Sequence, residues 1–485
     1  MIRPLTLDEV LKHSSSRANL RLVRGDGDTV FPGLAFFARR ATRGSFYVVQ
    51  DPQLEGKAAK TEDELLAAAI DAGFTRFVVP EAMAEFAAPA EATVISADDP
   101  MAGAIAMVRS VEDHARGKIV TVAGSVGKTT VKEMTRQAIE YIHPLAEVEP
   151  SALNPNMFRP VLRNISRAGR YDFSVIEVSA AAILRGLEHD FLVSSDVTII
   201  TSISEAHLDA FGTVERAAKT KARILDRPRT PESVAVVYGD SRFSDDLAER
   251  ARDMGWSRTI SYGSAAGNDV QLVGAEVSTG AVSARVYGEP IDFRMESVRG
   301  GGKHWAVNAM ASIAALVALG EDWQKAIPAL ESFSPPAGRG NKWRVPAPVG
   351  GEATVVNAAF NASHSSVVAS IAAVSSVARQ GDGRKILVLG DMGELGSSAQ
   401  RMHESLVDLL NEADIDVLYM VGPLMRAIAS SITSVPDVRA REPEELLPEV
   451  GEDLRNGDFV YVKGGNAQRL IPLLLEPLHK RRILQ

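Results

Sequence analysis

Short apolar runs alternate with longer, polar-interrupted stretches along most of this chain, the pattern of buried parallel strands joined by amphipathic helices. Near the N-terminus, residues 30–38, 46–49 and 77–79 read as strands and residues 61–73 as a helix. Asp98-Asp99-Pro100 opens a further helix ending near Gly117, since proline suits a first helical turn. A second group of strands follows at residues 119–122, 173–178, 197–203 and 234–238, with a helix-forming run at 131–140. Gly300-Gly301-Gly302 reads as a flexible break before the alanine-rich helix 305–319, and Ser334-Pro335-Pro336-Ala337-Gly338 as a linker. Beyond it, three apolar strands (385–390, 417–422 and 459–464) each end in glycine and lead towards helical stretches. That is the look of a Rossmann-like sheet with a ligand crevice at its carboxyl ends, although no G-x-G-x-x-G accompanies it.

One junction carries chemistry. The strand 119–122 runs into Gly124-Ser125-Val126-Gly127-Lys128-Thr129-Thr130 and then into a helix. Glycines let backbone N–H groups turn inward, and the helix N-terminus favours an anion, so strand, loop and helix form a phosphate cradle. Lys128 can reach the β- and γ-phosphates, and the Thr129 hydroxyl can bind Mg²⁺. The loop is two residues shorter than G-x-x-x-x-G-K-[ST], because Val122 stands where the first glycine would be. The fold class expected is α/β with three domains. These are a small N-terminal α/β domain (1–116), a central P-loop mononucleotide-binding domain (117–334) and a C-terminal Rossmann-like domain (335–485).

Composition narrows the partners. The 485 residues are 45% hydrophobic and 24% charged, so sizeable cores can form. Lys and Arg total 53 against 62 Asp and Glu, and the net charge of −9 argues against nucleic acid or an anionic membrane as the main partner. With no cysteine, thiolate nucleophiles, disulfides and Cys-based metal sites are excluded. Residues 1–19 are polar, without the apolar core of a signal peptide, and no apolar run approaches a membrane span. The expectation is a cytoplasmic monomer.

Other candidates are ambiguous on local chemistry. Glu177 ends the strand 173–177, where a carboxylate beside a P-loop can hold Mg²⁺ or simply be solvated. His207 follows the strand 197–203 and can equally be structural. Lys221 lies in a helical run where lysines are mostly solvated, with Lys219 as its neighbour. Asn308 can read an adenine edge or be a tolerated polar position.

Together, and in this order, these segments resemble the Mur ligase family of ATP-dependent amide-forming enzymes, over nearly the whole chain. The subfamily most similar joins D-alanyl-D-alanine to UDP-N-acetylmuramoyl-tripeptide in peptidoglycan biosynthesis. Residues 123–134 are similar to its short P-loop and following helix, and Ile176-Glu177 to its Mg²⁺-binding glutamate. Residues 207–213 with 218–221 resemble its histidine-to-lysine segment, which implies that His207 holds a second Mg²⁺ and that Lys221 carries a CO₂-derived carbamate. The segment 304–308 with Asn308 is similar to its adenine reader, and Gly338-Arg339 to the arginine opening its third domain. Leu387-Val388-Leu389-Gly390-Asp391-Met392-Gly393-Glu394-Leu395-Gly396 with His403 is close to a C-terminal signature, and Val462-Lys463-Gly464 to its last strand. The resemblance implies ATP and Mg²⁺ as cofactors, a small-molecule carboxylate acceptor, and an amino acid or dipeptide amine delivered by the third domain. Asn154, Asn361 and Lys463 would contact substrate.

Four departures fall on binding groups. Asp26-Gly27-Asp28 stands where the family has Asp-Ser-Arg, so an anion-binding fork becomes a negative charge and a diphosphate there should be repelled. Phe158 replaces a glycine of the loop 151–160 that keeps Asn154, and should narrow the space for substrate. Ala358 replaces an acid in the run 357–362, and Lys463-Gly464-Gly465-Asn466 has lost an arginine. These departures leave open a paralogue joining a non-UDP acceptor, or a nucleotide-binding module without catalysis. A P-loop GTPase would need an Asn-Lys-x-Asp, which is absent.

Overall fold

The computed structural model describes residues 3–39, 42–49, 61–86, 88–149, 157–204, 208–465 and 469–483. Its strands form three sheets. The first contains β1 (Leu20–Arg24), β2 (Leu34–Ala35), β3 (Phe46–Val48), β4 (Arg76–Pro80) and β5 (Thr93–Ala97), in the order β1-β5-β4-β3-β2. The second contains β6 (Lys118–Ala123), β7 (Phe173–Glu177), β8 (Val197–Ile200), β9 (Val234–Tyr238), β10 (Arg258–Gly263), β11 (Val270–Ala275), β12 (Ala281–Val286) and β13 (Glu289–Arg294), in the order β13-β12-β11-β10-β9-β8-β6-β7. The third contains β14 (Asn341–Pro346), β15 (Glu352–Asn357), β16 (Lys385–Gly390), β17 (Val417–Val421), β18 (Asp437–Arg441) and β19 (Phe459–Lys463), in the order β14-β15-β19-β16-β17-β18. The α/β class expected from the pattern is the class observed.

The second sheet is parallel from β7 through β11, with antiparallel β12 and β13 added at one edge. Its central strands β6, β7, β8 and β9 are mostly buried and largely apolar, as a sheet covered by helices on both faces requires. The helix Lys128–Ile142 packs with the helix His304–Leu319 on one face, over a core that includes Val131, Met134 and Trp305. The other face shares a core with the first unit, through the helices Pro100–His114 and Phe158–Arg167. At the end of the first of these, Arg229 donates to the carbonyls of Glu112, Ala115 and Gly117 and pairs with Asp196. A side-chain donor so satisfies helix-end acceptors that have no partner within the helix.

Two expectations are corrected locally. Residues 30–38 do not form one strand. Pro32-Gly33 turns the chain, Gly33 at φ +95, and only Leu34–Ala35 pairs with β3. A side chain on Gly33 would meet the Arg167 stem, and the Leu34 amide donates to Ser166 Oγ at 2.9 Å, so this turn docks the first unit onto the second. Gly300–Gly302 is not a loose break either. The Gly301 and Gly302 amides donate to the Val298 carbonyl, and a Cβ on Gly301 would come within 2.8 Å of Trp305 Nε1. These glycines permit close packing of the turn.

Candidate functional site

The phosphate cradle has the expected form. β6 ends at Ala123, and the loop is pinned to the end of β8. The Ser125 amide donates to the Ser202 carbonyl at 2.7 Å, and the Ser204 amide to Ser125 Oγ at 3.0 Å. Gly124 (φ +133) and Gly127 (φ +90) occupy the left-handed region. A Cβ on Gly124 would lie 2.0 Å from Thr201 Oγ1, and one on Gly127 2.7 Å from Asn308 Oδ1. Both positions therefore require glycine. The helix Lys128–Ile142 has no side-chain N-cap, so its first N–H groups face the cradle and are available to an anion. Lys128 Nζ donates to the Ser125 carbonyl at 3.0 Å and thus curls over the loop. Burial lowers its proton affinity, against the opposing charge of Glu177.

Glu177 is the last residue of β7, adjacent to β6, and is buried. Thr129 Oγ1 donates to its Oε2 at 2.8 Å. A hydroxyl and a carboxylate touching beside a phosphate cradle suit a hard cation such as Mg²⁺. Lys221 ends the helix Val214–Ala222 and is 1% exposed, whereas Lys219 is exposed. Its Nζ has no hydrogen-bond partner and lies 5.2 Å from the centre of the Phe211 ring. Burial, then the charge on Lys128, pushes its pKa down to about 8. An orphaned ammonium here fits modification to a carbamate, which needs the neutral amine and yields oxygen ligands. His207 and Asn154 lie outside the described residues. Among the described residues, no group of three His, Asp or Glu side chains is arranged to hold a metal.

The third sheet supplies the opposite wall. Arg339 lies 4.0 Å over the Phe360 ring and within the field of Glu177. Ser365 Oγ donates to Ser204 Oγ at 3.1 Å across the two units. Lys463, at the end of β19, is buried and donates to the carbonyls of Asn361 (2.7 Å) and Ala358 (3.3 Å). Burial, then the charge on Arg339, pushes its pKa down to about 7. Between the walls is a 320 Å³ cavity bordered by Gly127, Tyr238, Tyr262, Asn308, Arg339 and Lys463. His304 also borders it, with a buried Nδ1 that has no partner and a pKa lowered to about 4 by burial and then Lys463.

The Mur ligase middle domain matches residues 122–316, and the Mur ligase glutamate ligase domain matches residues 345–466. The chain belongs to the Mur ligase family. As a Mur ligase it is an ATP- and magnesium-dependent acid–amine ligase. The UDP-N-acetylmuramoyl-tripeptide–D-alanyl-D-alanine ligase of Bacillus subtilis is 26% identical over 389 residues, covering 79% of this chain and 80% of that protein. The enzyme of that name from Treponema pallidum is 29% identical over 369 residues, covering 73% and 74%. The fold is that of the MurF crystal structure from Acinetobacter baumannii, with a TM-score of 0.74 at 20% identity over 99% of both chains. MurF from Thermotoga maritima, solved in complex with ADP, gives a TM-score of 0.68 at 21% identity over 93% of this Mur ligase and 99% of that chain.

Sequence reasoning missed several residues at this site. Tyr238 and Tyr262 end parallel strands β9 and β10 and border the cavity. Their position at strand carboxyl ends was the available signal. Phe158 starts a helix and is buried, stacked on His189 and edge-on to Phe191, so it fills the core beneath the second unit and not a substrate channel. Asp28 is exposed, its amide donating to Asp26 Oδ1 at 3.0 Å, and the Asp8 carboxylate lies against Gly27. Within the described residues no helix is long and apolar enough to cross a membrane.

Proposed function

We propose that this Mur ligase joins the amine of D-alanyl-D-alanine to the terminal carboxylate of UDP-N-acetylmuramoyl-tripeptide, after ATP has converted that carboxylate to an acyl phosphate. The observation that carries the reading is the meeting of Lys128, the Thr129–Glu177 pair and the buried, unpartnered Lys221 at one cradle, faced by Arg339. The substrates are those named for the relatives from Bacillus and Treponema, which this chain matches over about three-quarters or more of their length.

Residues 1–116 are read as the acceptor unit, 117–334 as the ATP unit and 335–485 as the unit that delivers the amine. The loop amides and Lys128 hold the phosphates, and Asn308 with Arg339 borders the nucleotide. Thr129 and Glu177 would hold one Mg²⁺, and a carbamate on Lys221 with His207 another. Such ions would screen repulsion between an anionic carboxylate and an anionic triphosphate. Lys463 fixes the Ala358–Asn361 turn through its carbonyls and leaves the Asn361 side chain on the cavity wall. The third unit, docked through Ser365 and Arg339, excludes water that would hydrolyse the acyl phosphate.

Full-length protein with ATP, Mg²⁺, UDP-N-acetylmuramoyl-tripeptide and D-alanyl-D-alanine should release ADP and phosphate and form the pentapeptide product, read by mass. ADP release at background overturns the substrate assignment. A second reading, an acceptor lacking a diphosphate, is favoured by the exposed Asp28 beside Asp26. It predicts turnover with an unlinked peptide acid in place of the UDP-linked one.

A further inference from the structure

The loop Asp391–Gly396, after β16, faces the cradle from the third unit, and the mechanism above gives it no task. It is clamped from behind. The buried Asp391 carboxylate accepts from the Met425 amide at 2.8 Å and the Leu424 amide at 3.3 Å, and the Met392 amide donates to His403 Nε2 at 3.0 Å. Met392 and Leu395 are buried on either side. Between them Glu394 is held at φ +60, a left-handed conformation that side-chain-bearing residues adopt at a cost. Such strain persists where surroundings over-determine it, and it clusters at functional sites.

The same loop touches the second unit. The Asp209 amide donates to the Glu394 carbonyl at 3.4 Å, and a Cβ on Gly396 would lie 3.2 Å from Asp209 Cα. The exposed Glu394 carboxylate is near enough to Lys128 for the two charges to interact. Two cations, Lys128 and Arg339, face each other across the cradle. Glu177 is engaged by Thr129 on the sheet side. Glu394 thus brings negative charge from the opposite wall, and only while the third unit is docked. Of the reactants, ATP and the acceptor acid are anions, which a carboxylate repels. The incoming amine arrives as an ammonium, which it attracts.

We propose that Glu394 binds the ammonium of the incoming amine beside the acyl phosphate held at Lys128; the nitrogen then releases one proton to solvent, attacks the acyl carbon, and gives a second proton to the departing phosphate. This rests on the substrate reading above. E394Q removes the charge. E394G removes the carboxylate while suiting φ +60, so it separates charge from loop shape. Each full-length variant would be assayed for KM of D-alanyl-D-alanine and of ATP. Acyl phosphate would be read without dipeptide, by hydroxamate formed with hydroxylamine, a nucleophile uncharged at neutral pH that needs no carboxylate to bind it.

The expected result is a KM for the dipeptide raised about ten-fold or more in both variants, the effect of losing one charge-assisted contact. ATP KM and hydroxamate yield should stay within about two-fold of wild type, with partial recovery of dipeptide KM in E394D. A parallel rise in ATP KM, or loss of hydroxamate, would mean that Glu394 only latches the units together, and overturns the proposal. Unchanged dipeptide KM in an active wild-type background overturns it as well. A wild type inert towards the dipeptide but active in forming hydroxamate overturns the amine assignment itself, and the proposal with it.

Discussion

Two regions of this Mur ligase, the cradle Gly124–Thr130 and the turn Asp26–Gly33, are built on opposite principles. The cradle Gly124–Thr130 binds anions with backbone: two glycines in left-handed conformations, an uncapped helix start and a lysine folded over the loop. The turn Asp26–Gly33 in the first unit offers exposed side chains, with Asp8, Asp26 and Asp28 gathered near the start of the helix Leu7–Ser14. A backbone site cannot change its charge preference without losing its fold. A side-chain site can reverse it by one substitution and leave the strands undisturbed. ATP use is accordingly the fixed property of this chain, and acceptor choice the adjustable one.

The contrast can be broken hardest at Lys128. K128A should reduce turnover by about a thousand-fold or more, because no other described lysine folds over the loop to the phosphates, while thermal stability stays near wild type. Next, K221R keeps a cation where the proposed carbamate would supply an anion, and a fall of about a hundred-fold is expected. Wild-type activity should drop when CO₂ is stripped and return with bicarbonate, a response K221R lacks. With the Lys221 pKa near 8, the neutral amine that takes up CO₂ becomes the major form only above that pH, so recovery should quicken as pH rises towards and past 8.

G127A tests the backbone side at a smaller scale. A Cβ there sits 2.7 Å from Asn308 Oδ1 at a φ of +90, so ATP KM should rise about ten-fold and Tm should fall. D28R tests the side-chain side, and should tighten binding of the UDP-linked acceptor by about five-fold, in a salt-dependent way, without altering ATP KM. The smallest effect concerns pH. His304 is neutral in the folded state down to about pH 4, whereas in the unfolded chain it takes a proton near 6.5. The unfolded state therefore binds more protons between these values, and stability falls as pH drops from about 6.5 towards 4. H304F should flatten that part of a Tm-against-pH curve.

Much of this was legible from residues alone where periodicity and punctuation agree. β6, the cradle and its helix follow one another in sequence, so local rules sufficed. Residues 30–38 misled because apolar character outweighed Pro32-Gly33, whose turn interrupts pairing. The antiparallel edge β11–β13 went unread because one face is open to solvent and its apolar runs are broken. The choice between Lys219 and Lys221 depends on which face of the helix Val214–Ala222 is buried, and local spacing does not give that. Glu394 was visible as part of a signature but its task was not, because its surroundings come from Asp209 and Lys128, distant in sequence and brought near by docking of two units.

β6 pairs with β7 so that Val122 stands opposite Glu177, and with β8 so that Ala123 stands opposite Ile200. Side chains alternate along a strand, so a slip of one position would send Glu177 to the far face and bring a valine or isoleucine to Thr129. The catalytic inheritance of this lineage is thus a matter of alignment between neighbouring strands. One codon inserted within Phe173–Glu177 would therefore part Glu177 from Thr129 while leaving every residue of the cradle in place.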